Sequence, residues 1–104
     1  MDDDLREQID TQVKSKRVML FMKGTPAFPQ CGFSNQAIQI LRFHEADFGT
    51  VNVLDDLAIR EGIKEYANWP TIPQLYVDGE LVGGSDIMME MHNSGDLATL
   101  LSEK

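Results

Sequence analysis

Cys31 is the only cysteine in the 104-residue chain, within the stretch Phe28-Pro29-Gln30-Cys31-Gly32-Phe33-Ser34. Ser34 stands where a second thiol would complete a C-x-x-C pair and make a self-contained disulfide exchanger. One thiol cannot form an internal disulfide, so folding does not depend on an oxidising compartment. The chemistry open to Cys31 is that of a thiolate with a lowered pKa. The residue falls between a proline-containing loop and the start of a helix, where unpaired N–H groups and the helix dipole attract an anion. Lys23, just before that loop, adds a positive charge near the sulfur. The alternative is a small buried apolar cysteine. A loop-to-helix junction faces the surface, and Gly32 leaves room for an approaching group, so the thiolate reading is preferred.

The elements that must position this residue follow from the apolar spacing. Leu5, Ile9 and Val13 recur four apart on an otherwise charged segment and predict a helix over 3–15, with Asp2, Asp3 and Asp4 at its positive end. Residues 17–22, Arg-Val-Met-Leu-Phe-Met, form a continuous apolar run and predict a buried central strand. Gly24, Pro26 and Pro29 make 23–30 a loop. Ala37, Ile38 and Leu41 predict a helix from about residue 31 to 46 that feeds a second strand over 48–53. Strand, helix and strand in this order make a βαβ unit with parallel strands. A helix is expected over 56–67, then two strands joined at Asp78-Gly79, a strong hairpin signal. From Ser85 onward the chain reads as helical, with a break near Asn93-Ser94-Gly95. This is an α/β chain with a small four-stranded mixed sheet flanked by helices, a thioredoxin-like fold in one domain over 1–104.

Composition narrows the function classes. Seventeen acidic residues against nine basic ones give a formal net charge of −8, which argues against nucleic acid as a partner. No apolar run approaches the roughly 20 residues of a membrane span. The N-terminal segment is too acidic for a transit peptide and lacks a secretory pattern. A reducing, bacterial-type cytoplasm is the expected location, with a trimmed organellar form as the other option.

Two separated stretches, Lys23-Gly-Thr-Pro-Ala-Phe-Pro-Gln-Cys-Gly-Phe-Ser34 and Trp69-Pro-Thr-Ile-Pro-Gln-Leu-Tyr-Val-Asp-Gly-Glu-Leu-Val-Gly-Gly-Ser-Asp-Ile87, resemble the monothiol glutaredoxins of the C-G-F-S class. The similarity runs from about Val18 to Leu100. It implies that Cys31 is both the catalytic thiol and a ligand of a [2Fe-2S] cluster shared by a homodimer. Such a cluster takes four thiolates, so two copies would each supply Cys31 and two glutathione molecules would supply the rest.

The same resemblance assigns a glutathione site residue by residue. Lys23 would meet a glutathione carboxylate beside the sulfur. Arg60 and Lys64, four apart on one helix face, would stand near the glycine carboxylate. Pro73 would be the cis proline opposite the cysteine, so that the backbone of Ile72 pairs with the cysteinyl part of glutathione. Thr71 and Phe33 are counted with these. Gly84, Ser85 and Asp86 would receive the γ-glutamyl end, the helix N-terminus taking its carboxylate and Asp86 its ammonium. Without the resemblance, Ser85 and Asp86 read as capping residues, Ser34 as a helix-surface or capping serine, and Trp69 as a packing anchor. His44 and His92 read as surface histidines, and Met88, Met89 and Met91 as packing.

Two functions use this same groove. One is a carrier that holds a glutathione-ligated cluster and hands it to apo iron–sulfur proteins. The other is an oxidoreductase that reduces protein–glutathione mixed disulfides by a single-thiol route. The loop Thr25-Pro-Ala-Phe-Pro29 resembles the longer loop of the C-G-F-S class, which implies poor reductase turnover and favours the carrier. A third function that the resemblance implies, compatible with the first, is a regulatory adaptor that binds a BolA-like protein through a shared cluster.

Overall fold

The structure is a computed structural model that describes residues 1–102. β1 (Val18–Met22) is the centre of the architecture because its five residues are buried on both faces. Successive side chains of a strand point to opposite sides. Val18, Leu20 and Met22 therefore enter one core with α2 (Gly32–Phe43), α4 (Ser85–Ser94) and α5 (Asp96–Ser102), while Met19 and Phe21 enter a second with α1 (Asp3–Val13) and α3 (Leu57–Ala67). That double burial is why the strand reads as an unbroken apolar run.

β1 pairs in parallel with β2 (Gly49–Asn52) and antiparallel with β3 (Gln74–Val77), and β3 pairs antiparallel with β4 (Glu80–Gly83). The sheet order is β2-β1-β3-β4, the mixed four-stranded sheet expected. Asp78 and Gly79 both carry positive φ, 54° and 80°, the geometry that turns a two-residue hairpin with the twist of its strands. On the second core face, Phe21 and Tyr76 meet edge to face with ring centroids 5.6 Å apart, a contact worth about 1 kcal/mol beyond its buried area.

The expected elements are all present, with shorter ends. The first helix stops at Val13 rather than residue 15, and the second spans Gly32–Phe43 rather than reaching residue 46. Asp56 lies outside α3 as its N-cap, its carboxylate accepting from the N–H groups of Ala58 and Ile59. The C-terminal helix breaks at Gly95, φ 88°. Arg17, before β1, donates through its guanidinium to the carbonyls of Leu100 and Leu101 at the end of α5. No helix among the described residues is long and apolar enough to cross a membrane.

The histidines are not the independent surface residues expected. His44, the C-cap of α2, and His92, in the last turn of α4, are half-buried and joined by a 2.9 Å Nε2···Nδ1 hydrogen bond. Phe43 packs edge-on against both rings. Spacing within one helix gives no hint of this pairing, because the partners are 48 positions apart and meet only when α2 packs on α4.

Burial, and then the neighbouring His92, holds the His44 imidazole below its ordinary value. The folded protein thus binds fewer protons here than the unfolded chain. Full stability is retained above the unfolded value of about 6.5 and is lost progressively as pH falls below it. We expect the thermal midpoint to drop between about pH 7 and pH 5, with a smaller drop in His44→Gln. Parallel pH profiles of the two proteins would remove His44 from the account. Asp56→Ala should cost about 1 kcal/mol in a denaturant titration, the usual loss for a carboxylate N-cap.

Candidate functional site

The site begins where β1 ends. After Met22 the chain makes a tight loop: Gln30 N–H donates to Lys23 O at 2.8 Å, and Thr25 and Phe28 exchange backbone bonds. Gly24 has φ 92°, and a Cβ there would lie 2.5 Å from Phe28 O, so only glycine fits. Its N–H donates to Asn52 Oδ1 at 2.9 Å, which ties the loop to the end of β2. The loop therefore delivers Cys31 to a fixed place at the start of α2.

Cys31 is the N-cap of α2, with extended backbone and a sulfur that accepts from Ser34 N–H at 3.4 Å. An oxygen usually fills this role. Here the acceptor is the thiol itself, so the orphan N–H of the first turn is paired with the reactive atom. Ser34 is not at the helix surface as expected. It is 0% exposed; its Oγ accepts from Lys23 N–H at 3.1 Å and lies 3.6 Å from Cys31 Sγ. The hydroxyl oxygen is thus satisfied by the backbone, and its proton is free to serve a thiolate.

Partial burial raises the Cys31 pKa and is the largest single influence. It is outweighed by the Ser34 N–H, the Ser34 hydroxyl, the Phe33 N–H and the positive charge of Lys23 together, and the net shift is downward. Cys31 itself is half-buried and free.

A groove of about 220 Å³ lies beside this helix start. Phe33, 62% exposed, forms one wall. Thr71, Ile72 and Pro73 form the second, and the Ile72–Pro73 peptide bond is cis. Gly84, Ser85 and Asp86 form the third at the N-terminus of α4. Seven of the residues singled out from the sequence thus come together.

Ser85 and Asp86 do not cap α4. The N-cap is Gly84, without any side-chain capping bond, so the first-turn N–H groups are not met by the chain's own side chains. A Cβ at Gly84 would stand 3.2 Å from Pro73 O and 3.5 Å from Trp69 Nε1. It would fill the space between the second and third walls, and glycine keeps that space open.

The three cations lie outside this groove. Lys23 acts on Cys31 from the end of β1. Lys64 pairs with Glu61 at 3.2 Å and lines a neighbouring hollow with Trp69 and Pro70. The Nε of Arg60 is buried and has no hydrogen-bond partner. Among the described residues no group of three His, Cys, Asp or Glu side chains is placed to hold a metal ion.

Two groove residues were not expected to line it. Trp69, read as a packing anchor, lines the groove and has a buried indole N–H without a partner. Ile87 also lines it, and a Cβ at Gly83 would meet Ile87 Cβ at 2.8 Å. Trp69 had a signal, its place beside Thr71-Ile72-Pro73. Ile87 had none, because one apolar residue in a first turn reads as packing.

Replacing Ser34 by Ala removes one of the groups that lower the thiol pKa. We expect the midpoint of thiolate absorbance against pH to move up in Ser34→Ala, and Lys23→Gln to move it the same way by a salt-sensitive amount. Unmoved midpoints would show that the Ser34 and Phe33 N–H groups alone set the charge.

The glutaredoxin family model matches residues 18–82. A Synechocystis protein described as an uncharacterized monothiol glutaredoxin, ycf64-like, is 54% identical over 97% of this chain and 94% of its own length. The mitochondrial glutaredoxin-related protein 5 of Danio rerio is 52% identical over 94% of this chain, which spans 64% of that relative. The solution structure of reduced poplar apo GrxS14 superposes with a TM-score of 0.79 at 52% identity, covering 91% of this chain and 87% of that one. With one thiol in a helix-capping position, a Ser at the third residue after it, and these relatives over nearly its whole length, the chain belongs to the glutaredoxin family, on its monothiol branch.

Proposed function

We propose that this protein is a carrier of iron–sulfur clusters, in which two copies hold one [2Fe-2S] cluster as cargo and deliver it to apo iron–sulfur proteins. The observation that carries the reading is a single thiol per chain, kept toward its thiolate form at an open helix start beside a groove. A cluster of this kind takes four ligands. Each copy supplies Cys31, and one glutathione bound in the groove of each copy supplies another thiolate. Half of the ligands are then exchangeable small molecules, which suits a cargo that must be handed on. A BolA-like protein could replace the second copy, and a reducing cytoplasm suits the free thiol.

The groove suits glutathione, a tripeptide with two carboxylates, an ammonium and a thiol. The uncapped first turn of α4 offers N–H groups and a positive dipole end to the γ-glutamyl carboxylate, and the exposed Asp86 suits the ammonium. Ile72 lines the groove, and its backbone N–H and C=O suit the cysteinyl unit. Arg60, whose Nε lacks a partner, and Lys64 suit the remaining carboxylate, with Lys23 placed toward the sulfur.

The lowered Cys31 pKa also supports a second reading, reduction of protein–glutathione mixed disulfides. In that reaction Cys31 thiolate attacks the glutathione sulfur and expels the protein thiolate. A second glutathione thiolate then attacks the Cys31–glutathione disulfide, restoring Cys31 and leaving glutathione disulfide. Cys31 is the attacking thiolate in the first step and the leaving thiolate in the second, and both steps use the same groove.

Anaerobic reconstitution with iron, sulfide and glutathione separates the two. The carrier reading expects a coloured dimer that requires glutathione and is lost in Cys31→Ser. A colourless monomer that rapidly reduces a glutathionylated protein would replace the carrier with the reductase.

A further inference from the structure

Gln74 opens β3 next to the groove wall and is 0% exposed. A buried amide must have its hydrogen-bonding groups met, and here they are met in one direction only. Its Nε2 donates to the carbonyls of Trp69 at 3.1 Å and Thr71 at 3.2 Å, while its Oε1 accepts from Tyr76 O–H at 2.8 Å. The reverse orientation of the amide would set an oxygen against two carbonyls, so the network assigns the orientation. The phenol of Tyr76 is held protonated by burial and then by Tyr66, which keeps it a donor.

The segment so gripped needs an outside clasp. Residues 69–73 lie in neither helix nor strand, and Pro70 and Pro73 have no N–H to contribute. The two carbonyls that Gln74 holds flank Pro70, and that of Thr71 directly precedes Ile72. The amide fork therefore fixes the part of the wall that faces a bound peptide, from a side chain that does not itself line the groove.

We propose that Gln74 is a positioning residue: its fork on the Trp69 and Thr71 carbonyls presets the Thr71–Pro73 wall, so that the Cys31 thiolate selects disulfides carrying a peptide backbone over those without one. This rests on the glutathione reading of the groove. Tyr76 acts through Gln74 by occupying its oxygen and fixing which end of the amide points at the wall.

The test compares two disulfides attacked by Cys31 thiolate. With glutathione disulfide, one S–S bond breaks, a Cys31–glutathione disulfide forms and one glutathione thiolate leaves. With bis(2-hydroxyethyl) disulfide the same exchange occurs without a peptide. The ratio of the two rate constants is the selectivity, and alkylation by iodoacetamide reports the thiol alone. In wild type the ratio should be well above one. A ratio near one in wild type overturns the glutathione reading, and this proposal with it.

Given wild-type selectivity, Gln74→Met should lower the ratio about tenfold, the scale of one lost hydrogen bond, with alkylation kept within about twofold of wild type. Gln74→Glu gives a second, reversible readout, measurable even if the Met variant fails to fold. Its carboxylate faces two carbonyls and cannot donate, but once protonated it restores one donor, so selectivity should recover as pH is lowered. Both rates share the same thiolate, so its titration cancels in the ratio. An unchanged ratio in folded Gln74→Met, or a pH-independent ratio in Gln74→Glu, would reduce Gln74 to a core residue and overturn the proposal.

Discussion

The first turn of an α-helix has N–H groups that no residue of the helix can satisfy. In this protein one of them, at Ser34, is given to a sulfur. The surrounding construction follows from that choice. The sulfur must sit at the N-cap, so the loop from β1 has to end in extended backbone at Cys31. Gly24 makes the loop tight, and Asn52 anchors it to the neighbouring strand. Ser34 is drawn inward because its hydroxyl must serve both the Lys23 backbone and the sulfur. A thiol that completes a helix is stabilised more as an anion than as a neutral group, so reactivity and local folding share one contact.

A second helix start flanks the same groove. The N-terminus of α4 has no side-chain cap, and Gly84 holds space that any side chain would take from Pro73 and Trp69. The two helix starts are held by different parts of the sheet, one after the central strand and one after an edge strand. Between them runs a segment with two prolines, whose carbonyls are gripped from behind by a buried amide. The groove thus combines glycine and backbone with the side chains of Phe33, Trp69 and Ile87, and none of Lys23, Arg60 and Lys64 lines it.

The sequence made the frame legible because frame residues report their own environment. The run at 18–22 shows double burial, Asp78-Gly79 shows its turn, and the single Cys before Gly and Phe shows a helix start. The C-G-F-S and Thr-Ile-Pro motifs located most of the groove. Illegible were residues whose meaning depends on a distant partner. Ser34 looks like any helix serine until the β1 end closes over it. His44 and His92 are ordinary until two helices cross. Gln74 carries no apolar signal, yet the fold buries it completely, because its partners are two carbonyls and a phenol that only the assembled sheet brings near. Arg60 and Lys64 share a helix face as their spacing indicates, but neither lines the groove, and Lys64 lies in a neighbouring hollow.

The sheet order leaves β2 and β4 at the rims, each only four residues long. A rim strand offers unpaired backbone groups to any chain that passes, and long flat rims are where proteins aggregate. These rims are brief, and Glu80 places a charge at the start of one of them. Copies of this protein that meet at high local concentration therefore have little backbone to zip together.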